Sequence, residues 1–446
     1  MQAVQAYPVL VCLPTSLHLM MFFDEATLLH TIREFDVIIA GGRVAGSAAA
    51  IMLARSGLRV LVLDKARFPS DTISTHIVLS GGAQVLSRIG AMDGLERVGG
   101  FRFRSQRMLG PGFDFRADLQ AAGNDARGLC LGREKMDAAM LELAGSFNQV
   151  TIWQGFRVTD LVIAHNSVLG VTGEDGSDTW EFHAPLVIGA DGMRSTVAQI
   201  AEQKLGAFRR SDVPCARAYY YAYYEGVARD RLGDELVTEF EASPGAGSLL
   251  CRCEDDRVVA AAAFDAKQMR TFRTDLGANL QRHLDGSIAV GGMLAGATRA
   301  SPLRSSGLLV NRHRDPVANG ALLLGDSGLH VDPLFGQGHS MALISAEIAC
   351  GLVPAWFSAR TGKAVSADAM APFTARRDAV LMRHFRASER ASRDLTLSAT
   401  TLAAYRTASR EQWAADEMIN FAQMSSEARF PSFRFARLMA QEARAA

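Results

Sequence analysis

The most constraining feature of this chain is a strand–turn–helix–strand pattern that begins at residue 35. Residues 35–40, FDVIIA, form a continuous apolar run, which is typical of a strand buried on both faces. A glycine-containing turn leads into a helix of small residues, and a second apolar run at 59–64 ends in an acid. Because parallel strands need a crossover connection, the pattern predicts a βαβ unit and an α/β fold with a parallel sheet.

The turn, GGRVAG, departs from the phosphate-binding pattern G-x-G-x-x-G at its second glycine. Gly41 and Gly46 stand where glycine permits a tight turn and close packing of helix on strand. Arg43 replaces the second glycine and offers a guanidinium to a pyrophosphate. Asp64 ends the second strand, where an acid accepts hydrogen bonds from a ribose. The segment therefore predicts a dinucleotide site, and an ordinary βα turn is the alternative.

The rest of the chain changes character several times, and we predict domains from these changes. Buried strands and helices recur in the α/β style, whereas the segments around residues 214–265 alternate in the manner of an antiparallel sheet. The predicted parts are an N-terminal extension at 1–34, a discontinuous cofactor domain at 35–100, 128–205 and 286–370, an inserted sheet domain at 101–127 and 206–285, and a helical region at 371–446.

An apolar stretch at residues 8–23 is similar to a signal peptide or a membrane anchor. No Lys or Arg precedes Arg33, Pro14 and His18 interrupt the stretch, and it is shorter than the roughly 20 residues of a spanning helix. We therefore expect a loosely attached extension, no transmembrane anchor and a cytoplasmic protein.

Charge and cysteine content exclude several classes of function. Lys+Arg and Asp+Glu each number 47, and this balance argues against nucleic acid as a partner. The six cysteines contain no CxxC pair, which predicts buried reduced thiols rather than disulfides. No HExxH or similar spacing is present, so we predict no metal site.

Two further glycine–acid pairs end buried strands. Asp191-Gly192 closes VIGADG, and Gly325-Asp326 closes LLLGD ahead of GLHVDPLFGQGHS. In this order, the three motifs resemble the flavoprotein aromatic hydroxylase superfamily, the single-component FAD monooxygenases of the para-hydroxybenzoate hydroxylase fold. The GxRxxG turn and FPSDTISTH at 68–76 are similar to one bacterial branch, and the resemblance covers roughly residues 35–370.

The resemblance implies a Rossmann-like FAD-binding domain with a parallel sheet, an inserted antiparallel sheet that binds the substrate, and C-terminal helices. It implies that the turn and Asp64 hold the ADP half, that Arg133 reaches the phosphates or the ribityl chain, and that the backbone of Val158 meets adenine. Asp326 would bind the ribityl hydroxyls, and Ser340 stands where the family often has Asn. The implied cofactor-binding residues are Gly41, Gly42, Arg43, Ala45, Gly46, Asp64, Lys65, Arg133, Val158, Asp191, Gly192, Gly325, Asp326, Pro333, Gly336, Gln337, Gly338, His339 and Ser340.

The resemblance also implies the chemistry. FAD would take a hydride from NAD(P)H, react with O₂ and insert one oxygen atom into an aromatic or polyunsaturated small molecule through C4a-hydroperoxyflavin, in bacterial secondary metabolism. The helix that begins near His339 would point its N-terminus at the flavin and stabilise its anionic forms. No residue is predicted as an acid or base.

Candidate substrate contacts come from one aromatic strand and one histidine. Tyr219, Tyr221 and Tyr223 share one strand face, and Tyr220 and Tyr224 share the other. Either face could line an apolar pocket, and packing within the core of the sheet domain is the alternative. His76 lies where the chain returns towards the flavin. A structural, hydrogen-bonded histidine is the alternative for it, as for His330 and His339.

Three other functions are compatible with this fold. Flavin-dependent halogenases carry WxWxIP, whereas Trp153, Trp180, Trp356 and Trp413 are isolated here. Reductases of prenyl double bonds, similar to geranylgeranyl reductase, typically carry Cys-Gly where this chain has Ser74-Thr75-His76. The reductase is the principal alternative, and a non-enzymatic dinucleotide sensor is the third.

Overall fold

The computed structural model describes residues 29–32, 35–74, 76–119, 125–359, 363–425 and 430–445. Most of the predicted N-terminal extension, with Cys12, therefore lies outside the described residues. Its end does belong to the fold, because residues 29–32 form a strand in a four-stranded sheet. That sheet runs β1 (Leu29–Ile32), β11 (Asp178–His183), β10 (Ser167–Asp175), β9 (Arg157–Ala164), with β1 parallel to β11.

The predicted parallel sheet is present, and its central strands are the apolar runs of the sequence. Within the described residues it has six strands in the order β21-β22-β12-β2-β3-β8, and all neighbours except the first pair are parallel. Its strands are β2 (Val37–Ala40), β3 (Val60–Asp64), β8 (Val150–Gln154), β12 (Leu186–Gly189), β21 (Val317–Ala318) and β22 (Ala321–Leu323).

Helices cover one face of this sheet, and the four-stranded sheet with one helix covers the other, so its strands are buried on both sides. The first face holds α1 (Val44–Arg55), α2 (Ser80–Arg88), α3 (Met92–Arg97), α4 (Arg133–Gly145), α9 (Gly338–Cys350) and α10 (Val353–Ala359). The helix on the second face is α5 (Thr196–Leu205), whose N-cap Ser195 accepts a hydrogen bond from the Ala198 N–H.

The inserted domain is a larger sheet that is mixed rather than purely antiparallel, because β15 and β5 run parallel. The reason is that β5 and β6 reach this sheet from a separate, earlier part of the chain. In order it contains β18 (Thr298–Arg299), β14 (Arg217–Glu225), β17 (Val258–Asp265), β16 (Gly247–Arg252), β15 (Glu235–Phe240), β5 (Ser105–Gly110) and β6 (Phe113–Asp118), and β19 (Arg304–Ser305) also pairs with β14.

One face of the large sheet is covered by helices that continue beyond the predicted boundary at residue 285. Residues 288–305 pack on or pair with this sheet, although the predicted boundary assigns them to the cofactor domain. The helices are α6 (Met269–Phe272), α7 (Leu276–Gly286) and α8 (Ile288–Leu294).

The C-terminal region is helical, as predicted, and part of it packs on the large sheet. It comprises α11 (Ala367–Arg393), α12 (Ala399–Arg410), α13 (Gln412–Ala422) and α14 (Phe433–Ala445). Two small sheets join the layers: β4 (Ile77–Val78) with β7 (Leu129–Cys130), and β13 (Arg210–Pro214) with β20 (Val310–Arg314) and β23 (Leu329–His330).

Two smaller findings concern the core. The cysteines Cys130, Cys215, Cys251, Cys253 and Cys350 are buried free thiols, as predicted. Among the described helices, one stretch, Gly338–Ser358, is long and apolar enough to cross a membrane, and 61% of its apolar window is buried inside the protein, as in a core helix.

Candidate functional site

The order of the parallel strands brings the three sequence motifs to one edge of the sheet. The strands β22, β12 and β2 are neighbours, and each ends in one motif. The Ala190 N–H donates to the Ala40 oxygen at 2.8 Å, and a Cβ added at Gly41 would lie only 2.3 Å from the Ala190 oxygen. A Cβ at Gly325 would lie 3.3 Å from the Cβ of Ala45. Segments far apart in sequence therefore form a single site.

The first turn has the close backbone approach that a phosphate-binding loop needs. Gly41 has a φ of +105°, and a Cβ at Gly46 would lie 1.8 Å from the Gly41 oxygen, so neither position accepts a side chain. The Asp64 carboxylate accepts hydrogen bonds from the N–H groups of Gly42 and Ala66, each at 2.7 Å. The acid therefore also fixes the shape of the loop.

The Arg43 guanidinium, which the sequence predicts at a pyrophosphate, is partly exposed and is held by several contacts with the protein. It forms an ion pair with the buried Asp137 of α4, donates to the oxygens of Ser70 and Asp71, and lies over the Phe68 ring. Arg133 donates to the same carboxylate at 2.8 Å. One carboxylate thus holds two guanidiniums between the turn and the start of α4, and a phosphate at this place would meet a net positive charge.

Two carboxylates of the motifs carry oxygens that the described protein leaves unpaired. Asp191 accepts hydrogen bonds from the N–H groups of Thr196 and Val197 through Oδ2, whereas its buried Oδ1 has no partner among the described residues. Burial raises the pKa of Asp191. No hydrogen bond or ion pair from a described residue reaches the half-buried carboxylate of Asp326. Unpaired acceptors beside a glycine cradle fit the hydroxyl-rich chain of FAD.

The segment expected beneath the flavin ring forms a tight turn between the two domains. Residues Pro333–Phe335 make a 3₁₀ turn, and Asp332 caps it by accepting the Leu334 N–H at 2.9 Å. The same oxygen accepts the hydroxyl of Tyr219, so the aromatic strand is tied to this turn. Gly336 has a φ of +65°, and a Cβ at Gly338 would meet nothing within 4 Å. The start of α9 therefore faces open space.

The hydroxyl of Ser340, a predicted cofactor residue, is hydrogen-bonded within the protein. Its hydroxyl accepts the Leu79 N–H at 3.0 Å and packs against Gly82 of α2. The side chain thus joins α9 to the start of α2, and its hydroxyl is occupied by contacts within the protein. His330 is likewise structural, because its Nδ1 bonds to the oxygen of Val310 at 2.6 Å.

His339, at the start of α9, has a fixed tautomer. Nδ1 lies 3.1 Å from the Ile77 oxygen and must donate, while Nε2 lies 3.1 Å from Arg133, which can only donate. Burial, assisted by the Arg133 charge, lowers the pKa of His339 to about 3. The imidazole is therefore neutral, and its unprotonated Nε2 faces the guanidinium.

His76 lies against the aromatic strand, where we predicted a substrate contact. Its ring stacks on Tyr223 with centroids 5.3 Å apart, Nδ1 bonds to the Tyr223 hydroxyl, and the edge of Tyr221 lies against it at 5.5 Å. Burial and the charges of Arg133 and His339 lower the pKa of His76 to about 3. Burial also raises the pKa of Tyr223. Both groups are uncharged at neutral pH.

The structure settles which tyrosine face looks towards the cofactor domain. Tyr220 and Tyr224 pack beneath α7 and α8 in the core of the large sheet. Tyr221 and Tyr223 pack with Ile77 and Leu79, which immediately follow His76. The strand face that carries Tyr219, Tyr221 and Tyr223 is therefore the one turned towards the site. The Tyr219 hydroxyl is already engaged there, because it donates a hydrogen bond to Asp332.

Two further predicted cofactor residues, Lys65 and Val158, lie outside the sheet edge where the three motifs meet. Lys65 is exposed beyond the end of β3, and Val158 is half-buried on β9, outside the parallel sheet. Sequence reasoning missed Asp137, although its position four residues after Arg133 puts both on one helix face. It also missed Glu254, which accepts the Gly132 N–H at the start of α4. No local pattern marks that contact between distant segments.

Comparisons with known proteins agree with this architecture. A family model described as "FAD binding domain" matches residues 34–344. A 6-methylpretetramide 4-monooxygenase of Streptomyces rimosus is 30% identical over 37% of this chain, and the match spans 40% of that enzyme's own length. A digeranylgeranylglycerophospholipid reductase of Methanococcoides burtonii is 27% identical over 70% of this chain and 72% of its own.

Solved structures share the fold. The flavin-dependent brominase Bmp2 superposes with a TM-score of 0.73 at 17% identity, covering 92% of this chain and 98% of that one. The family match spans most of the chain and includes all three motifs of the site. The Streptomyces match spans less than half of that enzyme's own length, and the other relatives include an FAD-dependent monooxygenase of Penicillium paxilli. The family match shows that this chain belongs to the FAD binding domain family.

Proposed function

We propose that the protein is an FAD-dependent, NAD(P)H-consuming monooxygenase that inserts one oxygen atom into an aromatic or polyunsaturated small molecule of bacterial secondary metabolism. The observation that carries the proposal is the meeting of three motifs at one sheet edge, opposite the face of Tyr221 and Tyr223. FAD supplies hydride acceptance and oxygen transfer when bound.

The residues of this chain have distinct tasks in the proposal. Gly41 and Gly46 leave space for the phosphates, and Asp326 accepts hydrogen bonds from the ribityl hydroxyls. The first N–H groups of α9 place a positive dipole end beside the flavin ring. These features bind and polarise the cofactor without a dedicated acid or base.

The histidines and tyrosines on the substrate side of the proposed site are uncharged, although the guanidiniums of Arg133 and Arg257 lie beside them. His76 and His339 carry no charge at neutral pH because the pKa of each is lowered to about 3. Tyr221 is buried, and burial raises its pKa. An aromatic or polyene substrate loses little by entering such surroundings, and the exclusion of water protects the reactive cofactor.

A second candidate function is the reduction of isoprenoid double bonds. The match to a digeranylgeranylglycerophospholipid reductase spans 70% of this chain, more than the match to the Streptomyces monooxygenase. A reductase would use the same FAD-binding residues and the same apolar wall. Only the fate of the reducing equivalents differs between the two functions.

The mass of the product separates the two functions. FAD-loaded protein is incubated with NAD(P)H and a panel of polycyclic aromatic and polyprenyl compounds in air. Monooxygenation predicts a product heavier by one oxygen atom, labelled when the oxygen gas is isotopically labelled. A product heavier by two hydrogens, formed equally well without oxygen, would establish the reductase instead.

A further inference from the structure

Two buried glutamines meet on the face of the large sheet that carries Tyr221 and Tyr223, several strands away from these tyrosines. Gln106 of β5 is 6% exposed, and Gln423, at the end of α13, is fully buried. The Gln423 amide nitrogen donates to the Gln106 amide oxygen at 2.7 Å. The two residues are separated by 317 positions, so the contact joins the C-terminal helices to the substrate sheet.

The direction of the hydrogen bonds in this pair is fixed by a backbone group. The Ser80 N–H, at the start of α2, donates to the Gln423 amide oxygen at 2.9 Å. A backbone N–H can only donate, so Gln423 must present its oxygen to Ser80 and its NH₂ group to Gln106. Gln106 must then accept through its oxygen. Its own NH₂ group has no acceptor among the described residues.

Gln106 belongs to the same sheet face as Tyr221. The register places Tyr221 opposite Ala261, Ala261 opposite Leu249, Leu249 opposite Thr238, and Thr238 beside Met108. Gln106, two residues before Met108, points to the same face. Four strand spacings separate β14 from β5, which is roughly 19 Å at the usual distance between strands.

The middle of this face carries an apolar side chain that is partly exposed. Leu249 lies in a central strand and is half-buried, whereas Ala261 and Thr238 on either side are buried. Leu334 and Phe335, in the turn Pro333–Phe335 that is expected beneath the flavin and is here called the flavin turn, are also half-buried, and they pack with the cluster that contains Met108. We take this partial exposure of apolar side chains on a covered sheet as the place where an apolar ligand can reach the face.

We propose that Gln106 is a specificity-determining residue, whose amide NH₂ donates a hydrogen bond to an acceptor oxygen of the substrate, and that Gln423 is the positioning residue that fixes this polarity. The inference rests on the proposed function, because the flavin turn and the sheet must face a common substrate. It narrows the substrate to an elongated apolar molecule that carries a carbonyl or similar acceptor oxygen towards one end.

The test uses full-length, FAD-loaded protein and two probes of similar shape, acetylanthracene and ethylanthracene. Binding is followed through the flavin absorbance, without turnover. The wild-type protein should prefer the acetyl probe by about tenfold, as expected for one hydrogen bond to a buried donor. Gln106→Leu should remove the preference by weakening the acetyl probe alone, because the apolar contacts remain.

Further variants test the polarity directly. Gln106→Glu preserves the shape and the bond from Gln423 but turns the free donor into an acceptor, so the preference should shift towards aminomethylanthracene. Gln423→Leu should reduce the preference, because the Gln106 amide can then flip. Gln412→Leu, an exposed position on the same helix, is the matched control and should change nothing.

Several results would overturn the inference: no acetyl preference in the wild type, an unchanged preference in Gln106→Leu, or equal weakening of both probes. If Gln106→Leu loses FAD, the isosteric Gln106→Glu decides alone, and an absent shift towards the amine contradicts the inference. If the protein takes up no FAD, the proposed function is refuted at its first step, which is cofactor binding. A Gln106-dependent preference without any oxygenated or reduced product would refute only the proposed function.

Discussion

At the scale of single residues, the site depends on positions where a side chain is absent or unpaired. A Cβ at Gly46 would collide with a backbone oxygen of the turn, whereas a Cβ at Gly338 would enter open space at the start of α9. Asp326 offers its carboxylate without a partner among the described residues. The turn itself requires glycine at position 46. Gly338 and the unpaired Asp326 carboxylate contribute little to the apoprotein, and a bound cofactor would explain them.

The two glycines should respond to alanine in opposite ways. Gly46→Ala should destabilise the apoprotein, by several kcal/mol, because the backbone oxygen of Gly41 must move. Gly338→Ala should keep or slightly raise the melting temperature of the apoprotein, since alanine favours a helix by about 1 kcal/mol, yet lower FAD affinity. Thermal unfolding and FAD titration measure both effects. Equal stability losses in the two variants would contradict the assignment.

Replacing Asp326 should affect cofactor binding alone. Asp326→Ala removes no hydrogen bond or ion pair within the described residues but deletes the proposed acceptor for the ribityl hydroxyls, at a cost of about 1.5–3 kcal/mol. FAD affinity should therefore fall by about 10- to 100-fold, with an unchanged melting temperature of the apoprotein. Asp315→Ala, which breaks a surface ion pair with Arg209, is the control. Unchanged flavin content in Asp326→Ala would exclude the proposed role.

At the scale of elements, the sequence predicts those whose cause is local. The runs VIIA and VLVLD are β2 and β3, and α4 spans Arg133–Gly145, the predicted range. The two faces of the aromatic strand also follow from its period. Local patterns could not show that Arg43 pairs with Asp137, that β5 lies parallel to β15, or that α13 meets β5. Those contacts depend on how distant segments pack.

The long helix α11 gives a prediction for the acid stability of the fold. His384 is 1% exposed and stacks on Phe421, and burial lowers its pKa to about 3. In the unfolded chain a histidine takes up a proton near pH 6.5. Between about pH 6.5 and pH 3 the unfolded state thus binds more protons, and stability falls as the pH falls.

His384→Phe should remove part of this acid dependence. The slope of unfolding free energy against pH should decrease by about 1.4 kcal/mol per pH unit in that window, which corresponds to one proton. The stability at neutral pH should fall by only about 1 kcal/mol, because phenylalanine keeps the stacking on Phe421 and removes one acceptor, the Nε2 that lies 3.2 Å from Arg383 Nε. Denaturant unfolding at several pH values measures the slope. His165→Asn, at an exposed turn position, is the control, and an equal slope change there would refute the explanation.

At the scale of the whole molecule, three parts of the chain meet at the proposed substrate site. The parallel sheet supplies the cofactor motifs, the large sheet supplies Tyr221 and Tyr223, and the C-terminal helices meet both through Gln423. The flavin turn at Pro333–Phe335 lies where they join, since Tyr219 and the C-terminal helices contact it. A balanced net charge suits the proposed design, in which local N–H groups and guanidiniums, rather than an overall basic surface, would meet the anionic groups of the cofactor.

The central claim is that these three parts enclose a flavin that NAD(P)H reduces and oxygen reoxidises. The most direct measurement is the visible absorbance of FAD-loaded protein during anaerobic addition of NAD(P)H, followed by admission of air. The account predicts a protein that binds FAD stoichiometrically, bleaches on reduction and recovers its yellow colour with oxygen. A protein that stays colourless in the presence of FAD, or a bound flavin that neither NADH nor NADPH reduces, would contradict it.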